Sequence, residues 1–178
     1  MPALLPDVIQ GTSTTLHRWT SAHANSLQSA RDQSTAQLQT WLPQILFELS
    51  DVARYIATAE ARFAAGIEFM FGVFDASMTL VGQCSLTSVD TTSAEIGYWI
   101  CSDQAGKGYT TDAVSAITKS AFATLPALRR IEILCDAGNH ASTRVAAKAG
   151  FVHGASRPLA PPSAPRTGIE MIWLKERD

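Results

Sequence analysis

The sequence predicts a mixed α/β fold, one sheet with helices on both of its faces, and three observations support this prediction. The hydrophobic period switches repeatedly between that of a strand and that of a helix. Three strand-like runs follow one another between residues 69 and 101, as in an antiparallel meander. Beyond residue 101 helical and strand-like segments alternate, and such an order requires crossover connections.

The first half of the chain predicts one short strand followed by helices. Residues 2–13 hold two prolines and a glycine and predict an irregular lead-in, and residues 16–19 predict the first strand. Residues 21–42 have a helical pattern that ends at Pro43, in two pieces that meet near residues 32–34. Asp51 is a preferred N-cap and predicts the start of a further helix. Its apolar stripe is Val52, Tyr55, Ile56, Ala59 and Phe63, and Gly66 closes it.

The second half alternates between strands and helices, and a proline-rich loop is predicted at residues 158–168. Strands are predicted at residues 69–74, 80–87, 95–101, 130–135, 151–156 and 170–175, and helices at 108–124 and 140–149. These segments amount to about seven strands and about four to five helices. The length suits a single domain spanning residues 1–178.

The composition is typical of a folded soluble protein. Of the 178 residues, 46% are hydrophobic and 17% charged, and the formal net charge is −2. These values disfavour disorder, and also a nucleic-acid binder that relies on bulk positive charge. No apolar run approaches the ~18 residues of a membrane span, and residues 1–10 lack the pattern of a signal peptide. We therefore expect a cytoplasmic protein with no membrane or nucleic-acid partner.

The cysteines and histidines do not predict a metal centre. Cys84, Cys101 and Cys135 lie in separate apolar runs without a CxxC pair, so neither a disulfide framework nor a zinc site is expected. The four histidines have no spacing typical of metal ligands. We expect free, buried thiols and no metal.

A loop that binds an anion is predicted between residues 95 and 113. An apolar strand runs into a turn with Gly106 and Gly108, and an amphipathic helix follows. The free N–H groups and partial positive charge at a helix start favour an anion such as phosphate. Two nucleotide motifs fail here, because Cys101 stands where the Walker motif needs glycine and Thr111 where a dinucleotide fingerprint does. An ordinary glycine turn without a ligand remains the alternative.

A second segment, residues 139–151 (NHASTRVAAKAGF), follows the strand IEILCD. Asn139 or His140 can begin a short helix there, and Gly150 can end it. Taken alone, the segment predicts only a well-capped connecting helix. Its position about 30 residues beyond the glycine loop makes the combination specific.

The two segments together resemble the signature stretches of the GNAT acetyltransferases. GYWI (97–100) and AGKGYTTDA (105–113) are similar to the first stretch of that family. The N-x-x-S-x-x-V-x-x-x-x-G-F pattern of residues 139–151 is similar to the RimJ/RimL-like branch, which acetylates ribosomal-protein N-termini. The order of elements agrees over nearly the whole chain, including TLHRWTSAHA (15–24) and QLQTWLP (37–43). The family loop, Q/R-x-x-G-x-G/A, is altered at Ala105 and Thr110, which leaves the affinity for the cofactor open.

The resemblance implies a mostly antiparallel sheet that splays between the strand ending at residue 101 and the strand at 130–135. It also implies that acetyl-CoA lies in this opening, with its pyrophosphate on the glycine loop. Asn139 and Ser142 would face the cofactor near its sulfur. The implied cofactor-binding residues are Trp99, Ile100, Cys101, Ala105, Gly106, Lys107, Gly108, Tyr109, Thr110, Thr111, Asn139 and Ser142.

Two residues are the first candidates for catalysis, and a third is the reserve. Glu95 lies on the strand beside the implied opening and is the first choice for a general base, with Glu170 as the reserve. Ser142 is the candidate partner of the leaving thiolate. Some relatives have an acidic residue near 158–162, where this chain reads PLAPP, so their mechanism does not transfer directly.

The expected function is transfer of an acetyl group from acetyl-CoA to a primary amine. The N-terminal α-amine of a protein is the first expectation for the acceptor. A small amine (an amino acid, polyamine or antibiotic) and a non-catalytic acyl-CoA-binding module are the alternatives. Both monomers and homodimers occur in the family, and the sequence does not choose between them.

Overall fold

The computed structural model describes residues 3–88, 90–159 and 164–177. Within these ranges the chain forms one sheet of eight strands and six α-helices. The predicted mixed fold with helices on both faces is confirmed. Residues 160–163, in the predicted proline-rich loop, lie outside the described ranges.

The strands are β1 (Val8–Gln10), β2 (Thr15–Arg18), β3 (Glu68–Phe74), β4 (Leu80–Ser88), β5 (Ser93–Ile100), β6 (Arg130–Asp136), β7 (Val152–Pro158) and β8 (Ile169–Glu176). The helices are α1 (Ala24–Gln33), α2 (Thr35–Trp41), α3 (Pro43–Glu48), α4 (Val52–Ala64), α5 (Tyr109–Thr124) and α6 (His140–Lys148). The sheet has the order β1-β2-β3-β4-β5-β6-β8-β7. Every neighbouring pair is antiparallel except β5 and β6.

The parallel pair β5–β6 is joined over only three residues. Ser93–Glu95 pairs with Arg130–Glu132, and beyond this point the two strands have no ladder between them. On its other side β6 pairs with β8 along its full length, and β5 pairs with β4 from residue 94 to residue 100. The sheet therefore opens between residues 96–100 of β5 and 133–136 of β6, as the resemblance implied.

Two apolar layers cover the two faces of the sheet. On one face α5 and α6 bury Val114, Ile117 and Ala146 against Phe71 and Ile131. The opposite face, under α1, α2 and α4, buries a second cluster that includes Trp19, Leu27, Leu38, Ile56 and Trp99. The stripe predicted for α4 is buried as expected, and Asp51 caps that helix by accepting a hydrogen bond from the Arg54 amide at 3.0 Å.

Two elements differ from the prediction. Residues 2–13 are not wholly irregular, because Val8–Gln10 forms β1 and pairs with β2. Three residues are too few for a hydrophobic period to identify a strand, and pairing with a neighbour decides the conformation instead. Pro43 does not end the helical region but begins α3, since proline is well tolerated in a first helical turn.

Candidate active site

A cleft of about 600 Å³ lies where β5 and β6 separate. It runs from the loop before α5, along the free edge of β5, to the carboxylates of Glu95 and Glu170. Helix α6 lines it from the β6 side, and α2 lines it from the other face of the sheet. Segments far apart in the sequence therefore meet in one elongated cavity.

One end of the cleft is formed by the glycine loop and the start of α5. Gly106 and Gly108 have φ values of +81° and +87°, the left-handed region that glycine adopts without steric cost. Gly108 is the N-cap of α5 and supplies no side-chain hydrogen bond to the helix. A Cβ atom on either glycine would meet nothing within 4 Å, so the space before the loop is open. The first amides of α5 are thus left available to an anion.

The same helix start is anchored from behind by Asp112. Its carboxylate accepts hydrogen bonds from the backbone amides of Thr12, Ser13 and Thr14, each at 2.9 Å, and from the Thr14 hydroxyl at 2.7 Å. Burial opposes ionisation, but the hydrogen bonds from Ser13, Thr12 and Thr14 outweigh it and lower the pKa of Asp112. The turn between β1 and β2 therefore holds the start of α5 in place.

The start of α6 forms the β6 side of the cleft. Asn139 caps the helix, its side-chain oxygen accepting from the Ser142 amide at 3.2 Å. The hydroxyl of Ser142 lies 2.8 Å from the hydroxyl of Tyr98, a β5 residue that also lies 3.1 Å from the Ser142 carbonyl oxygen. Burial raises the pKa of Tyr98, so its phenol stays protonated. The Tyr98 hydroxyl donates to the Ser142 carbonyl oxygen, and between the two hydroxyl groups either oxygen can be the donor.

Glu95 lines the cleft at the point where the sheet opens. The carboxylate is partly buried and has no ion-pair or hydrogen-bond partner among the described residues. Burial raises the pKa of Glu95, and the charges of Glu170 and Glu132 raise it further. A partly buried carboxylate with a raised pKa and free oxygens has the properties of a general base.

Glu170, the reserve candidate, has a different environment. It is buried, and its Oε2 accepts from Arg157 Nε at 2.7 Å and Nη2 at 2.6 Å. This ion pair engages Glu170 Oε2 with a guanidinium group. Of the two glutamates in the cleft, Glu95 is thus the one without an ion pair among the described residues.

The segment after the proline-rich loop is tied to the end of β6 by Asp136. Its carboxylate accepts from the amides of Gly138, Thr167 and Gly168 at 2.8–2.9 Å. Burial opposes ionisation of this group, yet the hydrogen bonds, with those from Thr167 the largest, lower the pKa of Asp136. Arg166, which lines the cleft, is positioned by this anchor.

Most of the residues named from the sequence line this one cleft. Cys101 and Lys107 do not: Cys101 is buried in the second core cluster, and Lys107 Nζ donates to Gln104 at 2.7 Å. The remaining members line it: Glu95, Trp99, Ile100, Ala105, Gly106, Gly108, Tyr109, Thr110, Thr111, Asn139 and Ser142. All three cysteines are free and buried, as expected.

Sequence reasoning missed three functional candidates in the cleft: Tyr98, Arg144 and Lys148. Arg144 and Lys148 are four residues apart on α6, and that spacing places both on one helix face. This i, i+4 spacing of two basic residues indicates a positively charged helix face that could lie beside an anionic ligand. Tyr98 stands in the GYWI stretch itself, but only the tertiary structure brings its hydroxyl to Ser142.

No group of three or more His, Cys, Asp or Glu side chains that could hold a metal ion occurs in residues 3–88, 90–159 and 164–177. Within the same ranges, none of the helices combines the length and the hydrophobicity that crossing a membrane requires.

The split sheet, the open helix start and the free carboxylate define a cleft for a long phosphorylated ligand with a proton acceptor at its far end. The model of the acetyltransferase (GNAT) domain family matches residues 14–152, more than half of the chain. The chain belongs to the GNAT acetyltransferase family. The predicted family and the predicted enzyme class, an acetyltransferase, are confirmed.

Several of the similar proteins are named as ribosomal-protein acetyltransferases. The chain is 29% identical over 122 residues to the ribosomal-protein-serine acetyltransferase of Escherichia coli (strain K12), covering 64% of this chain and 67% of the relative. The structure matches Mycobacterium smegmatis RimJ in complex with CoA-disulfide with a TM-score of 0.84 at 20% identity, covering 99% of this chain and 90% of that one.

A third relative is a Salmonella typhimurium acetyltransferase that modifies the N-terminal serine of a 50S ribosomal subunit protein. The match has a TM-score of 0.82 at 19% identity and covers 96% of this chain and 99% of the other. At these identities the two structural matches show a shared fold. The E. coli relative agrees with the branch that the sequence motifs indicated.

Proposed function

We propose that the chain transfers the acetyl group of acetyl-CoA to the N-terminal α-amine of a protein. The observation that carries this proposal is the single cleft that joins the open start of α5 to the free carboxylate of Glu95. The names of the relatives, which act on ribosomal proteins, support a protein acceptor.

The residues present fit the donor along the length of the cleft. The backbone amides of Tyr109, Thr110 and Thr111 would donate hydrogen bonds to its pyrophosphate. Arg144 and Lys148 would add positive charge from α6. The strand edge of β5 from residue 96 to residue 100 has no β6 partner, so its backbone groups can pair with an extended polar arm. Acetyl-CoA supplies the activated acetyl group when it is bound.

Glu95 would accept the proton that the amine loses as it attacks the acetyl carbonyl. An α-amine has a pKa of ~7.7–8.0, so a good share of it is already neutral near pH 7, whereas a lysine side chain with a pKa of ~10.4 is almost fully charged. A single carboxylate with a raised pKa is therefore a sufficient base for an N-terminus. For this chemistry an α-amine is the better acceptor.

Ser142 would stabilise the departing thiolate by donating its hydroxyl proton in a hydrogen bond. Tyr98 supports this role, because its hydroxyl lies 2.8 Å from Ser142 Oγ and holds the serine side chain at the edge of the cleft. The cap from Asn139 holds the Ser142 backbone in place while its side chain acts.

The test is Glu95→Gln, followed by the pH dependence of kcat/KM on a peptide with a free N-terminus. We expect turnover to fall at least about 100-fold, while thermal stabilisation by acetyl-CoA is retained. In the wild type, log(kcat/KM) should fall as the pH is lowered below the pKa of the amine. The slope of this fall should become steeper below the raised pKa of Glu95, where the base becomes protonated. The steepening should be absent in the variant.

The matched control is Glu132→Gln, on the neighbouring strand. Glu132 pairs with Arg130 at 3.0 Å and does not line the cleft, so turnover should persist. Because the Glu132 charge raises the pKa of Glu95, this control should shift the steep limb toward lower pH. Full activity of Glu95→Gln, or loss of activity in Glu132→Gln alone, would exclude Glu95 as the base.

A further inference from the structure

A second cavity, of about 300 Å³, lies under α3 and α4 on the sheet face opposite α5. Its floor is formed by Gln83 and Ser85 of β4 and Met70 of β3, and its walls include Tyr55 and Arg54 of α4. The proposed reaction does not use any of these residues. The volume is at the lower end of the ~300–1,000 Å³ of small-ligand sites.

Gln83 gives this cavity a polar group without a protein partner. The side chain is 4% exposed, and its Oε1 accepts from Trp19 Nε1 at 3.1 Å and from the Tyr55 hydroxyl at 2.9 Å. An indole N–H can only donate, so the atom that faces Trp19 must be the amide oxygen. The amide nitrogen is then the other end, and it has no hydrogen-bond partner among the described residues. An amide N–H group without a protein partner is available to a ligand or a water molecule in the cavity.

The cavity adjoins the active-site cleft at one pair of residues. Ser85 lines the second cavity and is the strand partner of Gly97, which lines the cleft. Ser85 Oγ lies 3.4 Å from the Gly97 carbonyl oxygen. A Cβ atom at Gly97 would come within 3.2 Å of that hydroxyl, so the glycine adds no second side chain beside Ser85 at the junction between the two cavities.

The junction at Gly97 lies two residues along β5 from Glu95, where the reacting amine would lie. Glu95 and Gly97 are on one face of β5, and two residues of a strand span about 6.6 Å. Consecutive Cα atoms of a substrate peptide are about 3.8 Å apart. With the amine at Glu95, a side chain that reaches the junction therefore belongs to the residue after the N-terminal one.

The charges of the cavity disfavour an acidic side chain. Glu48, Asp51 and Glu68 are opposed by Arg54 and Arg62, and Arg62 is already paired with Glu68 at 2.6 Å. The carboxylates outnumber the guanidinium groups by one, while the Gln83 amide offers N–H groups to a neutral oxygen. We infer that this cavity binds the second residue of the acceptor peptide and selects an uncharged side chain with an oxygen acceptor, an inference that rests on the proposed function.

The experiment compares two synthetic peptides that differ only at the second residue, Ser-Thr and Ser-Val with a common tail, and adds serinamide, which has no second residue. Threonine and valine have nearly the same shape and differ in one hydroxyl. We expect wild-type kcat/KM to be about fivefold higher for the threonine peptide, the effect of one neutral hydrogen bond.

Two substitutions locate the origin of this preference. In Gln83→Met the side chain keeps its length but has no hydrogen-bond donor. The variant should therefore acetylate the two peptides with about the same kcat/KM. Ser85→Val fills the floor of the cavity and should lower kcat/KM for both peptides by about tenfold, with serinamide unaffected. Ser115→Val, the matched control, makes the same substitution at an exposed α5 residue that lines neither cavity, and it should retain the wild-type values. Ser85→Val and this control stand as the test if Gln83→Met does not fold.

The outcomes separate the two proposals. If the wild type acetylates neither peptide, the proposed function fails, and this inference fails with it. If it acetylates both equally, or if the preference persists in Gln83→Met, the cavity does not select the second residue while the acetyltransferase proposal stands. Equal losses on serinamide and on the peptides in Ser85→Val would show damage to the catalytic cleft and overturn the inference.

Discussion

The two helices that begin at the cleft, α5 and α6, are capped in opposite ways. At α5 the N-cap is Gly108, which has no side chain that could accept a hydrogen bond from the helix. The amides of the first turn are therefore left open. At α6 the N-cap is Asn139, which accepts from the Ser142 amide and closes the helix start with the chain's own atoms. Both starts face the same cavity.

This difference assigns the two helix starts to different tasks. An open start leaves N–H groups and the positive end of the helix dipole for an anion from outside the chain. A helix start that is capped by its own chain has fewer free N–H groups and binds an anion less well than an open start. It holds its first turn rigidly, however, and presents the Ser142 side chain at a defined position. We therefore interpret α5 as the binding end of the cleft and α6 as part of its reacting end.

The largest expected effect comes from giving α5 a negative cap. Gly108→Asp places a carboxylate where the pyrophosphate would bind, and Asp tolerates the left-handed conformation of this position better than most residues. We expect the KM for acetyl-CoA to rise about 100-fold or more, since charged hydrogen bonds are lost and repulsion is added. Gly108→Ala, which adds strain without charge, should have a clearly smaller effect. Equal effects of the two substitutions would mean that conformation, and not the open amides, matters here.

A substitution at the start of α6 is expected to have a smaller effect, and to change kcat instead of KM. Ser142→Ala removes the hydroxyl but keeps the amide that Asn139 caps, so the helix should stay in place. We expect kcat to fall about 10- to 100-fold, the cost of one hydrogen bond to a charged group, with the KM for acetyl-CoA nearly unchanged. Thr143→Ala is the control, because the Thr143 hydroxyl donates only to the His140 carbonyl oxygen. A rise in KM without a change in kcat would place Ser142 at the binding end instead.

The smallest expected effect concerns the anchor behind α5. Asp112→Asn removes a charged acceptor from the turn at residues 12–14, and we expect a loss of about 1–2 kcal/mol in the free energy of unfolding at pH 7. Because the folded-state pKa of Asp112 is lowered, its contribution is present above the unfolded value of ~3.9 and is lost as the pH falls through the lower, folded value. Wild type and variant should therefore converge in strong acid. Asp103→Asn, which changes an exposed carboxylate, should leave the melting temperature unchanged; a constant difference at every pH would exclude the charge of Asp112 as the cause.

Elements with a clear period or a clear cap were predictable. The stripe of α4, its Asp51 cap and the succession of strands along the chain from β3 to β8 all follow local rules, since side-chain spacing indicates which face is buried. β1 and α3 were missed because each is short: Val8–Gln10 becomes a strand only by pairing with β2, and Pro43 is compatible with both the end and the start of a helix.

The sequence by itself determined the glycine turn before α5, a start of α6 at Asn139 or His140, and the resemblance of both segments to the GNAT family. These features depend on residues next to one another in the chain. Tertiary structure alone decided that Glu95 is free while Glu170 is held by Arg157, and that Tyr98 meets Ser142. It also decided that Gln83 turns its amide nitrogen away from Trp19 and Tyr55. Ionisation and hydrogen bonding depend on partners that are distant in sequence and on burial, and a linear pattern contains neither.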